Sequence, residues 1–240
     1  MSPARARVLA AVRLDLRLQV RYGIAQAASV VTLLWIVVLR ALPDPARQVA
    51  VPLVIFGDLA IIGFFFIGGM VLFERGEGTL SALAISPLSP GEYLAARLFS
   101  LTSLALASSL VVLAATAWDL RPGLAATGAS VAVLSIISLL VGFVTVAPFD
   151  AVSRYMIPSV APLLLLGAPL LARLDLIGGP LLFLLPSHGA MVFLSAAFDA
   201  DAQPGVLALG AASSAIWVAI LWRAAGWAHR RWVVPVAGAG

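Results

Sequence analysis

Phe73 to Leu98 reads FERGEGTLSALAISPLSPGEYLAARL and is the longest break in a chain that otherwise reads as lipid-soluble. It holds Glu74, Arg75, Glu77, Glu92 and Arg97, two prolines, and the apolar residues Leu80, Leu83 and Ala84 at helical spacing. The meaning of the break depends on its surroundings. Of 240 residues, 62% are hydrophobic and 11% charged, with a mean hydropathy of +1.08, whereas soluble domains carry about a quarter charged residues. The chain therefore reads as an all-α integral membrane protein. At about 20 apolar residues per crossing, there is room for six spans with short loops and none for a soluble catalytic domain. No ATPase site or other folded enzyme module of its own is therefore expected in this chain. With no cysteine, disulfides, thiolate metal sites and cysteine nucleophiles are excluded. The two histidines lie far apart and no Gly-rich phosphate loop ends in Lys-Ser or Lys-Thr, so no metal site and no bound cofactor are expected. All 15 basic residues are arginine. In a membrane chain such an excess sets orientation and does not mark nucleic acid.

Working outward, residues 1–22 form an arginine-rich segment in which Arg13, Arg17 and Arg21 recur every four residues. Local alternation of apolar and polar residues suggests a strand, but an isolated strand would leave backbone groups unpaired in the interface. An amphipathic helix lying at the headgroups is expected, with Val8, Leu9, Val12, Leu16 and Val20 on its apolar side. Spans are expected at about 23–42, 51–72, 96–117, 124–147, 155–172 and 204–222, with the polar break at 73–95. Pro162 and Pro169 should kink the fifth span. The apolar stretch 178–198 is interrupted by Gly179, Pro180, Pro186 and a Ser187, His188, Gly189 turn. Its pieces are too short to cross, so they should enter the outer leaflet and return. A basic tail, 223–240, ends the chain.

Six crossings put both termini on one side. That side then holds eleven arginines (Arg5, Arg7, Arg13, Arg17, Arg21, Arg75, Arg97, Arg154, Arg223, Arg230 and Arg231) against four on the other. The excess places the termini and the polar break in the cytoplasm of a multi-pass cell-membrane protein.

The run Phe73-Glu74-Arg75-Gly76-Glu77-Gly78-Thr79-Leu80, followed by Ser86-Pro87-Leu88-Ser89 and Glu92-Tyr93-Leu94-Ala95-Ala96-Arg97, resembles the first cytoplasmic loop of ABC transmembrane type-2 permeases. These are the membrane subunits of ATP-driven exporters. Gly57-Asp58, Ile62 to Phe66 and Ala197-Phe198-Asp199 look most like small actinobacterial drug-export permeases, including the fluoroquinolone-export type. The resemblance implies a short coupling helix within Glu74 to Ile85 that docks on a separate nucleotide-binding ATPase subunit, where ATP and Mg would be held. Glu74, Arg75, Glu77, Thr79, Leu80, Leu83 and Ala84 would form the contact. It also implies pairing with a second copy, as a homodimer, or with a similar permease, as a heterodimer. The cargo would be a hydrophobic or amphipathic small molecule. A lipid or haem exporter of the same superfamily and a proton-coupled secondary transporter remain open.

Asp58 lies seven residues into the second expected span, where an acid costs about 2.5–3.5 kcal/mol to insert. It should face protein or water, as a contact for cationic or zwitterionic cargo, a protonatable gate, or a strut hydrogen-bonded to a neighbouring helix. Phe65 continues that helix. Gly128, Ser135, Ser138, Gly142 and Thr145 share one face of the fourth span, which either lines a pathway or packs closely on a neighbour. Asp58, Phe65, Ser135 and Ser138 are accordingly the candidate pathway residues.

Overall fold

The computed structural model describes residues 3–78, 88–117, 123–174, 176–198 and 203–233. Thr79, Leu80, Leu83 and Ala84, and with them the expected coupling helix, lie outside the described residues. Among the described residues the chain is helical throughout. In chain order the helices are α1 (Pro3–Arg21), α2 (Ile24–Arg40), α3 (Asp44–Gly76), α4 (Pro90–Thr116), α5 (Leu124–Val146), α6 (Val152–Met156), α7 (Val160–Gly167), α8 (Pro169–Arg173), α9 (His188–Phe198) and α10 (Pro204–Ala228). A 3-10 turn at Pro180–Leu184 precedes α9, and a π-helical turn at His229–Val233 extends α10.

Among the described residues four helices are long and apolar enough to cross a membrane: α3, α4, α5, and α10 with its extension. A fifth crossing arises if α1 and α2, bent by 65° to one another, count as one broken span. The elbow falls at Gly23, whose φ of 75° is open to glycine at little cost.

Several element boundaries differ from the expected ones: α3 starts at Asp44, seven residues before the second expected span, and α10 runs to Ala228, six residues beyond the last one. α4 starts six residues before Ala96, because Ser89 and Glu92 form a reciprocal capping box and Pro90 occupies the first turn. Residues 90–95 are thus helix and not loop. The expected fifth span is three short helices: the α6–α7 break falls at 157–159, around Pro158, and the α7–α8 break just before Pro169, and neither proline has an N–H to give to the ladder, whereas Pro162 sits in the first turn of α7.

α5 is the central rod, packed by α3, α4, α9 and α10. Its approach to α3 is set by Gly142, where a Cβ would stand 2.5 Å from the Phe64 carbonyl oxygen and 2.7 Å from an Ile67 methyl. α9 meets α10 in the same way: a Cβ on Gly189 would lie 2.3 Å from the Gly210 oxygen. Ser187 and His188 are not an external turn. Both are buried, the Ser187 hydroxyl donating to the Leu166 carbonyl at 2.7 Å and the His188 ring standing edge-on to Phe183. Apolar side chains remain exposed on α2 (Val30, Leu33, Val37) and α10 (Leu209, Ile216, Ile220), surfaces suited to lipid or to another membrane helix.

Gly142→Ala should destabilise the chain by about 1–3 kcal/mol through backbone overlap with α3. Gly128→Ala, with nothing within 4 Å of the added carbon, should be neutral or mildly stabilising. Thermal unfolding of detergent-solubilised protein, followed by size-exclusion fluorescence, checks the contrast, and equal melting of the two variants would contradict this helix contact.

Candidate functional site

The polar break leaves α3 through Glu74, Arg75 and Glu77 and re-enters at α4 through Glu92 and Arg97, so its two feet stand side by side. Arg97 points inward from a helix whose neighbouring turns are Leu94, Leu98 and Leu101, and only 1% of it is exposed. A guanidinium so placed needs anionic partners. It has two, from different helices: Nη2 lies 2.5 Å from Glu74 Oε1 on α3, and Nε lies 3.0 Å from Asp15 Oδ2 on α1. Two hydroxyls share the remaining negative charge. Tyr93 donates to Glu74 Oε2 at 2.9 Å and Ser100 to Asp15 Oδ2 at 2.9 Å, while the Arg97 guanidinium stands 5.0 Å from the Tyr93 ring centre.

Two further pairs tie α1 to the same feet. Arg7 holds Glu92 at 2.7 Å, and Arg21 holds Glu77 at 3.1 Å. The Tyr22 hydroxyl also donates to Glu77, at 2.8 Å. Partial burial and the Glu77 carboxylate push the Tyr22 phenol up to about 12, so it stays a donor at any ordinary pH. Arg75 turns the other way and caps the carbonyls of Ala147, Phe149 and Trp232. All five charged residues of the break therefore have partners within the chain. Glu74 is buried, whereas Arg75 and Glu77 keep some exposure. Gly78, with φ 70°, turns the chain sharply out of α3.

The expected pathway residues separate. Asp58 and Ser135 line one cavity between α2, α3, α4 and α5. Ser135 is hydrogen-bonded across to Thr102 at 3.2 Å, and Asp58 Oδ1 accepts from the Trp35 indole at 2.9 Å. Ser138 is buried one turn along, its Cβ against Gly63. Phe65 packs edge-on to Phe64, and Phe66 is the aromatic that lines the cavity. Sequence reasoning missed Trp35, Asp15 and Tyr93. The tryptophan could have been found as a polar-tipped aromatic deep in an apolar span, since a buried indole N–H needs an acceptor.

The sequence profile of the Fluoroquinolones export permease protein family matches residues 6–237. The chain belongs to this family. Two curated relatives, the fluoroquinolones export permease proteins of Mycobacterium tuberculosis strains CDC 1551 / Oshkosh and ATCC 25618 / H37Rv, are each 40% identical over 194 residues, covering 80% of this chain and 81% of the relative. A permease of this family with several apolar helices is a multi-pass membrane protein, and its family describes a transport subunit. The matched region runs from α1 through the polar break to the tail, so the charge cluster lies inside it.

Arg97→Met strands two buried carboxylates and should cost about 3–5 kcal/mol. Tyr93→Phe removes one hydrogen bond and should cost about 1–2 kcal/mol. Adding Asp15→Asn and Glu74→Gln to Arg97→Met should recover part of the loss. Thermal unfolding in detergent checks the order, and an Arg97→Met protein that melts like the parent would show the cluster to be solvated.

Proposed function

We propose that this chain is the membrane-spanning subunit of an ATP-driven ABC type-2 exporter that moves an amphipathic drug-like molecule out of the cell. A fluoroquinolone is the first candidate cargo, by analogy with the named relatives. A separate ATPase subunit binds ATP and Mg, and the segment 79–85 docks on it through Thr79, Leu80, Leu83 and Ala84, with Arg75 and Glu77 at the margin. Six crossings (α2, α3, α4, α5, the broken α6 to α8, and α10) put both termini and the docking segment in the cytoplasm. The stretch 178–198 enters from the outer side and returns. The exposed apolar faces of α2 and α10 supply surface for a second copy or a similar permease, which a six-helix half needs to enclose a path.

The observation that carries this reading is the bridging of the two feet of the polar break. Glu74 on α3 and Arg97 on α4 form one buried ion pair, and α1 is fastened to both helices. A displacement of the segment between them is then delivered to three helices together. Glu74 acts within that bridge and not at the ATPase surface.

Everted membrane vesicles from cells making the chain together with its ATPase subunit should take up norfloxacin when ATP is supplied, and collapse of the proton gradient should leave that uptake in place. Leu83→Pro should lower uptake by about tenfold or more, the size of an ordinary coupling energy, while the protein still inserts and assembles. Uptake driven by an imposed proton gradient without ATP would overturn the reading in favour of a secondary transporter.

A further inference from the structure

We propose that the cavity between α2, α3, α4 and α5 is a binding pocket for a protonated amine, with Asp58 as its counter-ion. The proposal rests on the drug-export reading and names the chemical group by which cargo would be held.

The cavity wall is mostly hydrocarbon, with Phe66 and Leu104 among its apolar members, and polar groups enter it at Thr32, Asp58, Ser108 and Ser135. Among the described residues Asp58 is the only ionisable one in that wall. Among the described residues no arginine pairs with it: the ion pairs of the chain lie elsewhere, at the charge cluster, at the α3 start and in the α5–α6 loop. Asp58 is therefore unlike Glu74 and Asp15, whose charge is matched inside the protein. The Trp35 indole N–H fixes one carboxylate oxygen at 2.9 Å, which orients the group without neutralising it.

The donor set selects the ligand. One carboxylate and three hydroxyls in an apolar wall offer one negative charge and several acceptors. That matches an ammonium group, which brings one positive charge and two or three N–H donors. A divalent cation would look for more carboxylates or carbonyls than the wall provides. The room selects further. The unfilled space takes about two water molecules, enough for an amine and the ring edge that bears it and too little for a fused aromatic acid. The aromatic body of such a cargo would rest at the mouth of the cavity while its amine enters.

Depth agrees with this role. Asp58 stands about 21 Å along α3 from Asp44 and about 27 Å from Gly76 at 1.5 Å per residue, near the middle of the rod that links it to the charge cluster.

Equilibrium binding to the purified chain in lipid nanodiscs at neutral pH tests the assignment with three probes: norfloxacin, which carries a protonated piperazine; N-acetyl norfloxacin, whose amine is neutralised; and nalidixic acid, which has none. Wild-type protein should bind norfloxacin at least about tenfold more tightly than its N-acetyl form. Asp58→Asn should remove that difference and leave nalidixic acid binding within about twofold. Since the N-acetyl comparison uses wild-type protein, it decides even where Asp58→Asn fails to fold. Equal affinity of wild type for norfloxacin and its N-acetyl form, unchanged norfloxacin binding by Asp58→Asn, or an equal loss of all three probes would overturn the pocket alone. If wild type binds none of the three, the drug-export reading falls and takes the pocket with it.

Discussion

The structure depends on a guanidinium that has no water. Arg97 sits in an apolar turn of α4, and a charge removed from water to that extent is tolerated only against opposite charge at contact distance. Since its partners come from α1 and α3, the requirement fixes three helices at once. The register of α4 against α3 is the register that brings residue 97 to residue 74, and α1 must cross where Asp15 reaches both Arg97 and Ser100. One cation facing two carboxylates would leave a buried negative charge. The Tyr93 and Ser100 hydroxyls spread that charge over two further donors, which is why a cluster of five groups stands where two would seem enough. Such a cluster adds little net stability compared with hydrocarbon. It specifies position, because slipping any helix by one residue strands a charge.

Periodicity made the helices legible but hid the way α1 packs. The arginine stripe and the apolar side were both readable, and the segment is a helix as expected. Its buried side, however, holds Val12, Asp15 and Gln19, whereas Leu9, Leu16 and Val20 are exposed. A reading tuned to soluble proteins turns the apolar stripe inward. In a membrane protein lipid can take that stripe, and the protein can take the polar residues if it offers partners. Those partners are 82 and 85 residues away in sequence, at Arg97 and Ser100. No local pattern carries that information.

The small-residue face of α5 shows a similar limit. Its existence was readable, but it is not one interface. Gly142 admits α3, Ser135 reaches Thr102 on α4 beside the cavity, and the Thr145 hydroxyl lies 3.3 Å from that of Tyr155 on α6. Gly128 meets nothing. A helix surrounded on several sides spends its small residues on different neighbours, so spacing reveals close packing without saying against what. The broken fifth span was legible as a kink and not as three pieces, since proline marks where a hydrogen bond is lost and only the surrounding packing decides how far the chain then turns.

The charge cluster and the cavity are built from the same rods. α3 carries Glu74 at one point and Asp58 sixteen residues earlier, about 24 Å along a continuous helix. α4 carries Arg97 and, two and three turns on, Leu104 and Ser108. Ser135 and Leu139 add a wall from α5, and the remaining wall, with Ala28 and Thr32, belongs to α2, which joins the clamped α1 through the glycine elbow at residue 23. Two of the four walls of the proposed amine pocket are thus rigid continuations of the bridged feet, and the α2 wall hangs from a joint in the left-handed region with open space where a side chain would stand. Motion delivered at the bridged feet would carry α3 and α4 together and bend at Gly23. The cavity would change at its α2 side, where Trp35 holds Asp58. In that geometry the indole is the contact that a change of access must break, which gives the proposed coupling a place to act on the proposed cargo.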